Sequence, residues 1–241
     1  MQPALYVTLS AQIALERRLD TIAKNVANMN TAGYRADEIT FDAYLSGSGP
    51  NRVAFASQGQ TYISREAGPV TNTGNPLDVA VEGDSWLAIG TPRGPAYTRD
   101  GRMRMLESGA LHTLAGYPVL DAGGAPIALN GDGGPPQIAR DGMITQDGQQ
   151  IGAIGLFSID PSSPLERFEN SAVIPARPAV PILDFTSAGI LQGYVEGANV
   201  NPVMEMTKLI LVSRAFENAS ALIQQTESSL QEGIRTLGEP S

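Results

Sequence analysis

Two apolar stripes at helical spacing, one at each end of the chain, restrict this sequence more than any other feature. Leu15, Leu19, Ile22, Val26 and Met29 recur at steps of four, three, four and three, which places their side chains on one face of a helix. Leu209, Val212, Phe216, Ala219, Ile223, Thr226 and Leu230 keep the same rhythm near the other terminus. A single amphipathic helix is marginal in water, so each stripe needs a partner. The spacing predicts a helix from about Pro3 to about Asn30, roughly 40 Å long, and another from Pro202 to about Arg235, roughly 50 Å long. A compact middle that leaves the end of the first helix and returns at the start of the second forces the pair antiparallel. The expected fold class is therefore α+β: antiparallel terminal helices forming a coiled-coil stalk, with a central all-β domain.

Composition narrows the possible functions. With 26 glycines and 17 prolines in 241 residues, the chain stays below the range in which low-complexity disorder becomes the default, so the middle is expected to fold. A formal net charge of -9 argues against a nucleic-acid partner, because affinity for phosphate rests on concentrated cation. There is no cysteine, which excludes disulfides, thiolate metal sites and a cysteine nucleophile. The opening segment MQPALYVTLSAQIALERR lacks the basic start, the unbroken apolar run and the cleavage site of a secretory signal. No stretch approaches the roughly 18 apolar residues needed to span a bilayer, and the expectation is a protein without a membrane span.

The middle reads as short strands between turn formers. LDVAVEG, WLAIG, AYTRDGRMRM, ALHTLAGYPVL and MITQDGQQIGAIGLFSI are punctuated by Asp100-Gly101, Asp141-Gly142 and Asp147-Gly148, each expected to close a hairpin. Pro161, Pro164, Pro175, Pro178 and Pro181 suit an edge or surface course. Pro3 fits a first helical turn, Gly33 a positive-φ helix stop, and Asn201 with Pro202 a cap and first position of the second helix. The boundaries expected are 1–45 for the first stalk helix and its turn, 46–60 for a loop or partly ordered arm, 61–195 for the β domain, and 196–241 for the second stalk helix.

These blocks carry a family resemblance. IAKNVANMNTAGYRAD, from Ile22 to Asp37, resembles the N-terminal signature of flagellar basal-body rod and hook proteins, with its turn at Ala27, Asn28, Met29, Asn30, Thr31, Ala32, Gly33 and Tyr34. LDVAVEGDSWLAI from Leu77, YTRDGRMRM from Tyr97 and GALHTLAGYPVLDAGGAPIAL from Gly109 look like that family's central domain. EGANVNPVMEMTKLILVSRAFENASALIQ, from Glu196, resembles its closing signature. The resemblance implies a structural, non-enzymatic axial subunit that crosses the inner membrane through the flagellar type III export apparatus without a cleaved signal. It also implies a place in the periplasmic rod of the basal body, partners that are copies of itself and other rod proteins, and a part in motility by transmitting torque. Length and the opening segment are most similar to the family's proximal rod subunits; the distal rod subunit is the alternative.

A helical shaft needs a heterologous surface repeated head to tail. The assembly interface is expected at Leu5, Tyr6, Leu9, Leu15, Leu19, Ile22 and Val26 of the first helix and at Met206, Leu209, Val212, Phe216 and Ile223 of the second. The signature residues Asn28, Thr31, Gly33, Tyr34, Asn199 and Asn201 are added by the resemblance. Apolar residues off the pairing stripe, such as Met204 and Leu211, are left for neighbouring subunits.

Other signals have plainer readings. Glu205, Arg214 and Glu217 read as a solvated helix face, His112 as an ordinary strand residue and Trp86 as a core anchor. The LNGDGGPP segment at Asn130 and Asp132 lacks the carboxylate that would complete a calcium loop, and no metal or cofactor is expected. No GxSxG, GxGxxG, Walker or HExxH pattern occurs. The rival reading is an extracellular β-scaffold hydrolase using Asp78, Glu82 or Asp100. That account leaves the two helical ends without a purpose.

Overall fold

A computed structural model describes residues 2–40, 43–45, 54–57 and 59–238. The fold is α+β: two helices at the ends of the chain, α1 (Gln2–Ala27) and α2 (Pro202–Gly238), enclose a series of short antiparallel strands in sequence. The chain divides into two compact units, one made of Met1–Ala27, Asp37–Tyr62 and Asn201–Ser241, the other of Asn28–Ala36 and Ile63–Val200.

In the first unit α1 and α2 are in contact with each other. They contain 26 and 37 residues, so at about 1.5 Å per residue α2 is the longer by about 16 Å, a larger difference than the stripes predict. Ala14 and Ile22 of α1 and Val212 and Ala219 of α2 are buried, whereas Glu16, Arg17, Arg18, Asp20 and Lys24 are exposed. The polar and apolar faces thus follow the helical period. Gln12 Nε2 donates to Ser220 Oγ at 3.4 Å. At the end of α1 the buried Asn25 brackets Asp37: its Oδ1 accepts the Asp37 amide and its Nδ2 donates to the Asp37 carbonyl, both at 2.9 Å. A side chain that satisfies both backbone groups of one residue fixes where the chain begins its next strand.

That strand, Asp37–Thr40, pairs with Gln60–Ile63. The 46–60 segment, expected as a loop or arm, contains the strand Ala54–Ala56, which pairs antiparallel with Ala43–Leu45. Isolated apolar residues between turn formers looked like loop, but three residues are enough for a strand when a partner lies opposite.

The second unit is built around a six-stranded antiparallel sheet. Its centre is the hairpin of Trp86–Thr91 with Gly94–Thr98, flanked by Ala172–Pro175 on one side and Leu156–Ser158 on the other. Trp86–Thr91 is buried on both faces, which explains its unbroken apolar run: Leu87 joins one core with Val79, Leu111, Ile144 and Leu156, and Trp86 and Ala88 join another with Tyr97, Phe157 and Val173. Tyr97 and Phe157 meet edge to face at 5.4 Å, and burial pushes the Tyr97 phenol up.

The turn dipeptides behave differently from one another. Asp147-Gly148 joins Met143–Gln146 to Gln149–Ala153 with φ of 51° and 76°, the geometry of a two-residue hairpin. Asp141-Gly142 lies between Gln137–Ile138 and Met143–Gln146, with Gly142 at φ 87°. Asp100-Gly101 does not close a hairpin, because the strands on either side pair elsewhere. Gly101 is needed for close approach instead: a Cβ there would lie 1.9 Å from the Val79 carbonyl oxygen. His112 sits in Leu111–Thr113 opposite Arg104, its Nδ1 2.9 Å from the Gly116 carbonyl.

Candidate assembly surface

The stripe on α1 is unevenly covered. Ile22 is buried, Leu15, Leu19 and Val26 are half-buried and Leu9 is exposed, while the side chains of Leu5 and Tyr6 lie outside the described residues. On α2 Val212 is buried, Leu209, Phe216 and Ile223 are half-buried and Met206 is exposed. Val203, Met204, Ile210, Leu211 and Leu222 add to the exposed apolar surface of α2, with Val203 at 73% and Leu211 at 60%. A water-facing helix rarely carries so many large apolar side chains without a partner to cover them.

The start of α2 is well defined. Asn201 Oδ1 accepts the amides of Val203 at 3.1 Å and Met204 at 3.2 Å, and the Asn201 carbonyl accepts the Glu205 amide, as a cap requires. Asn201→Ala is expected to cost about 1 kcal/mol, seen as a lower urea midpoint and faster exchange of the Val203 and Met204 amides. Glu205 departs from the solvated-face expectation: it is buried, and Lys208 Nζ donates to its Oε1 at 2.6 Å. A carboxylate in the first turn of a helix also meets the favourable end of its dipole, which helps a buried position there. Arg214 and Glu217 are exposed.

The remaining signature residues belong to the second unit. Asn28 and Thr31 form the turn after α1, with the Thr31 amide bonded to the Asn28 carbonyl at 3.0 Å and Thr31 Oγ1 to Asn28 Oδ1 at 3.2 Å. Gly33 has φ 66°, and its amide donates to the Glu196 carbonyl at 2.8 Å. Tyr34 is 1% exposed and packs against Ala198 and Val200. Asn199 ties this segment down: its Oδ1 accepts the Ala36 amide at 2.6 Å, its Nδ2 donates to Ser64 Oγ and the Glu66 carbonyl, and its own amide donates to the Tyr34 carbonyl.

Behind that segment is a charged cluster that no spacing in the sequence announced. Arg35, Arg99 and Glu196 are all almost completely buried, and the two guanidinium carbons lie 5.8 and 5.4 Å from the ring centre of Trp86, which is fully buried. Arg35 Nη2 meets Glu196 Oε1 at 2.7 Å, as a close ion pair rather than an aligned hydrogen bond. Arg99 Nη1 donates to Glu196 Oε2 at 3.2 Å and to the Val81 carbonyl at 2.7 Å, its Nη2 donates to the Gly83 carbonyl, and the Gly68 amide donates to Glu196 Oε1 at 3.0 Å. Burial lowers the Arg35 pKa to about 10, against the opposing pull of Glu196, and lowers that of Arg99 in the same way. At about 10 the Arg35 guanidinium stays charged at neutral pH. The only clue in the sequence was the lone tryptophan, around which a large buried anchor was expected but not its ionic neighbours.

Asp78, Glu82 and Asp100, the carboxylates of the hydrolase reading, each have another engagement. Asp78 accepts from Thr73 and Asn75, Glu82 from Arg140, and Asp100 holds Arg102 through two bonds of 2.8 and 2.7 Å. Among the described residues no cluster of side chains suited to a metal ion occurs, and no helix is long and apolar enough to cross a membrane.

Comparison with known proteins agrees with the two terminal signatures and the middle. Residues 5–35 match the family described as "Flagella basal body rod protein", residues 80–149 that described as "Flagellar hook protein FlgE/F/G D1 domain", and residues 191–236 that described as "Flagellar basal body rod FlgEFG protein C-terminal". The chain belongs to the flagellar basal-body rod protein family. Within it the resemblance is to FlgF. The flagellar basal-body rod protein FlgF of Mesorhizobium japonicum is 54% identical over 241 residues, covering 100% of both chains. That of Rhizobium meliloti is 48% identical with 99% of each chain covered, and that of Caulobacter vibrioides 34% identical with 99% of each covered.

Proposed function

We propose that this chain, a structural subunit of the bacterial flagellar basal-body rod, assembles through α1 and α2 into the proximal part of the helical drive shaft and transmits torque without catalysing a reaction. In this reading α1 and α2 pair antiparallel as a coiled coil, and what they leave uncovered is taken up by copies of the chain and by other rod proteins. The subunit reaches the periplasmic rod through the flagellar type III export apparatus.

The observation that carries this reading is the apolar surface of α2. Val203, Met204, Met206, Ile210 and Leu211 are exposed within the first ten residues of a helix whose pairing stripe is itself only half covered at Leu209, Phe216 and Ile223. Burying one such side chain contributes roughly 1.5–3 kcal/mol, against roughly 0–1 kcal/mol for an exposed ion pair. A few of them per contact are enough to hold a stack of subunits, and contacts of this kind are insensitive to salt.

The test is the double substitution Met204→Asp with Leu211→Asp in the chromosomal gene. Both side chains are exposed, at 55% and 60%, so the isolated subunit should keep the circular dichroism of the parent. Swimming should be lost and basal bodies should end short of a complete rod. Normal swimming with intact rods would overturn the assignment of this surface.

A further inference from the structure

Residues 28–36 hold an unusual position in the second unit. They are joined on one side to α1 and on the other to the strand Asp37–Thr40, and they return to the β unit only at Ile63. None of the nine belongs to a strand. They are held instead by single backbone bonds, from the Gly33 amide to the Glu196 carbonyl, from the Asn199 amide to the Tyr34 carbonyl and from the Ser64 amide to the Ala36 carbonyl. To these are added the Ala36 amide on Asn199 Oδ1, and Arg167, which donates to the Arg35 carbonyl and lies 4.4 Å from the centre of the Tyr34 ring.

Opposing terms meet in this short segment. Closure buries Ala32 and Tyr34, which is favourable. Closure also takes Arg35 out of water, and its Nε and Nη1 have no hydrogen-bond partner among the described residues. A buried ion pair seldom does more than offset the desolvation of its two charges, and the depressed Arg35 pKa agrees that burial outweighs the help of Glu196. The segment is therefore closed by a smaller margin than the sheet it covers, whose strands exchange ladder bonds on both sides. Regions with few ladder bonds and offset burial are those that open on their own below the global unfolding energy.

We infer that residues 28–36 form a clasp that opens independently of the β sheet, and that the Arg35–Glu196 pair together with Asn199 sets how often it does so. The open state admits solvent to Trp86 while the strands beside it stay paired.

Trp86 is the only tryptophan in the chain, so its fluorescence reports this place and no other. Native-state hydrogen exchange of the full chain at low urea should show the Gly33 and Ala36 amides exchanging through an opening that hardly depends on urea. Amides of Trp86–Thr91 should exchange only through urea-dependent unfolding. Glu196→Gln and, separately, Asn199→Ala should each speed the clasp amides at least about tenfold and raise acrylamide quenching of Trp86, with the Trp86–Thr91 amides speeded by the same factor because global unfolding breaks the same contacts. Ile144 is buried in the core with Leu87, so Ile144→Val should speed the Trp86–Thr91 amides and leave the clasp amides unchanged. If Glu196→Gln does not fold, Asn199→Ala carries the test alone, since it removes the Ala36 acceptor without touching the charges. Equal urea dependence for the clasp and Trp86–Thr91 in the parent, clasp amides no faster in Glu196→Gln or Asn199→Ala, or equal acceleration of both sets by Ile144→Val would overturn the inference.

Discussion

Glu196→Ala is expected to lower the stability of the β unit by about 3–5 kcal/mol, the usual loss when one partner of a buried charge pair is removed. The substitution leaves the Arg35 and Arg99 guanidinium groups buried beside each other with no carboxylate between them, and the Gly68 amide loses its acceptor. Charge accounts for most of the effect, since the volume lost is small. Urea unfolding followed by circular dichroism should show a midpoint displaced to lower urea with an unchanged slope, because the surface exposed on unfolding is nearly the same. A midpoint within experimental error of the parent would mean that the cluster is solvated and not the buried anchor described here. Replacing Arg35, Arg99 and Glu196 together by apolar residues of similar volume should recover much of the loss, because no charge is then left unpaired.

Trp86→Ala is expected to cost a similar amount, about 3–5 kcal/mol, for a different reason. Trp86 is fully buried among Ile63, Tyr97, Leu120, Phe157 and Val173, and its removal leaves a cavity that strands pinned on both sides cannot close. The two arginines also lose the ring they rest on. Trp86→Phe should be considerably milder. Trp86 Nε1 has no hydrogen-bond partner among the described residues, so phenylalanine forfeits volume but no bond. Urea midpoints of the two variants, read by far-ultraviolet circular dichroism since the fluorophore is gone, check the order. Equal losses for Ala and Phe would point to the indole nitrogen rather than to packing.

Much of the architecture was legible because it is local. The capping pattern of Asn201 and Pro202 and the hairpin at Asp147-Gly148 each follow from which residues accept a given φ or satisfy a given amide within three or four positions. Gly33, by contrast, takes the expected positive φ but is not the helix stop, since α1 ends at Ala27 and the Gly33 amide bonds to the distant Glu196 carbonyl. The family signatures were legible for the same reason, as contiguous blocks. The strand Ala54–Ala56 was missed because its stability comes from a partner strand and not from its own composition. Asp100-Gly101 was misread because a turn dipeptide looks the same whether its glycine serves a positive φ or a close backbone approach. Glu205 was misread because a charge on a helix shows its sign in the sequence but not its burial.

The apolar period of the two ends and the glycine and proline punctuation of the middle determined, without reference to structure, that this chain has two terminal helices around a run of strands, and the signature blocks determined its family. Only the tertiary structure decided that the signature residues Gly33 and Tyr34 pack into the β unit, and that Arg35, Arg99 and Glu196 meet around Trp86. The reason is range: helix periods and turns are set by interactions between residues a few positions apart, whereas a buried charge is tolerable only where its counter-charge arrives from a distant part of the chain.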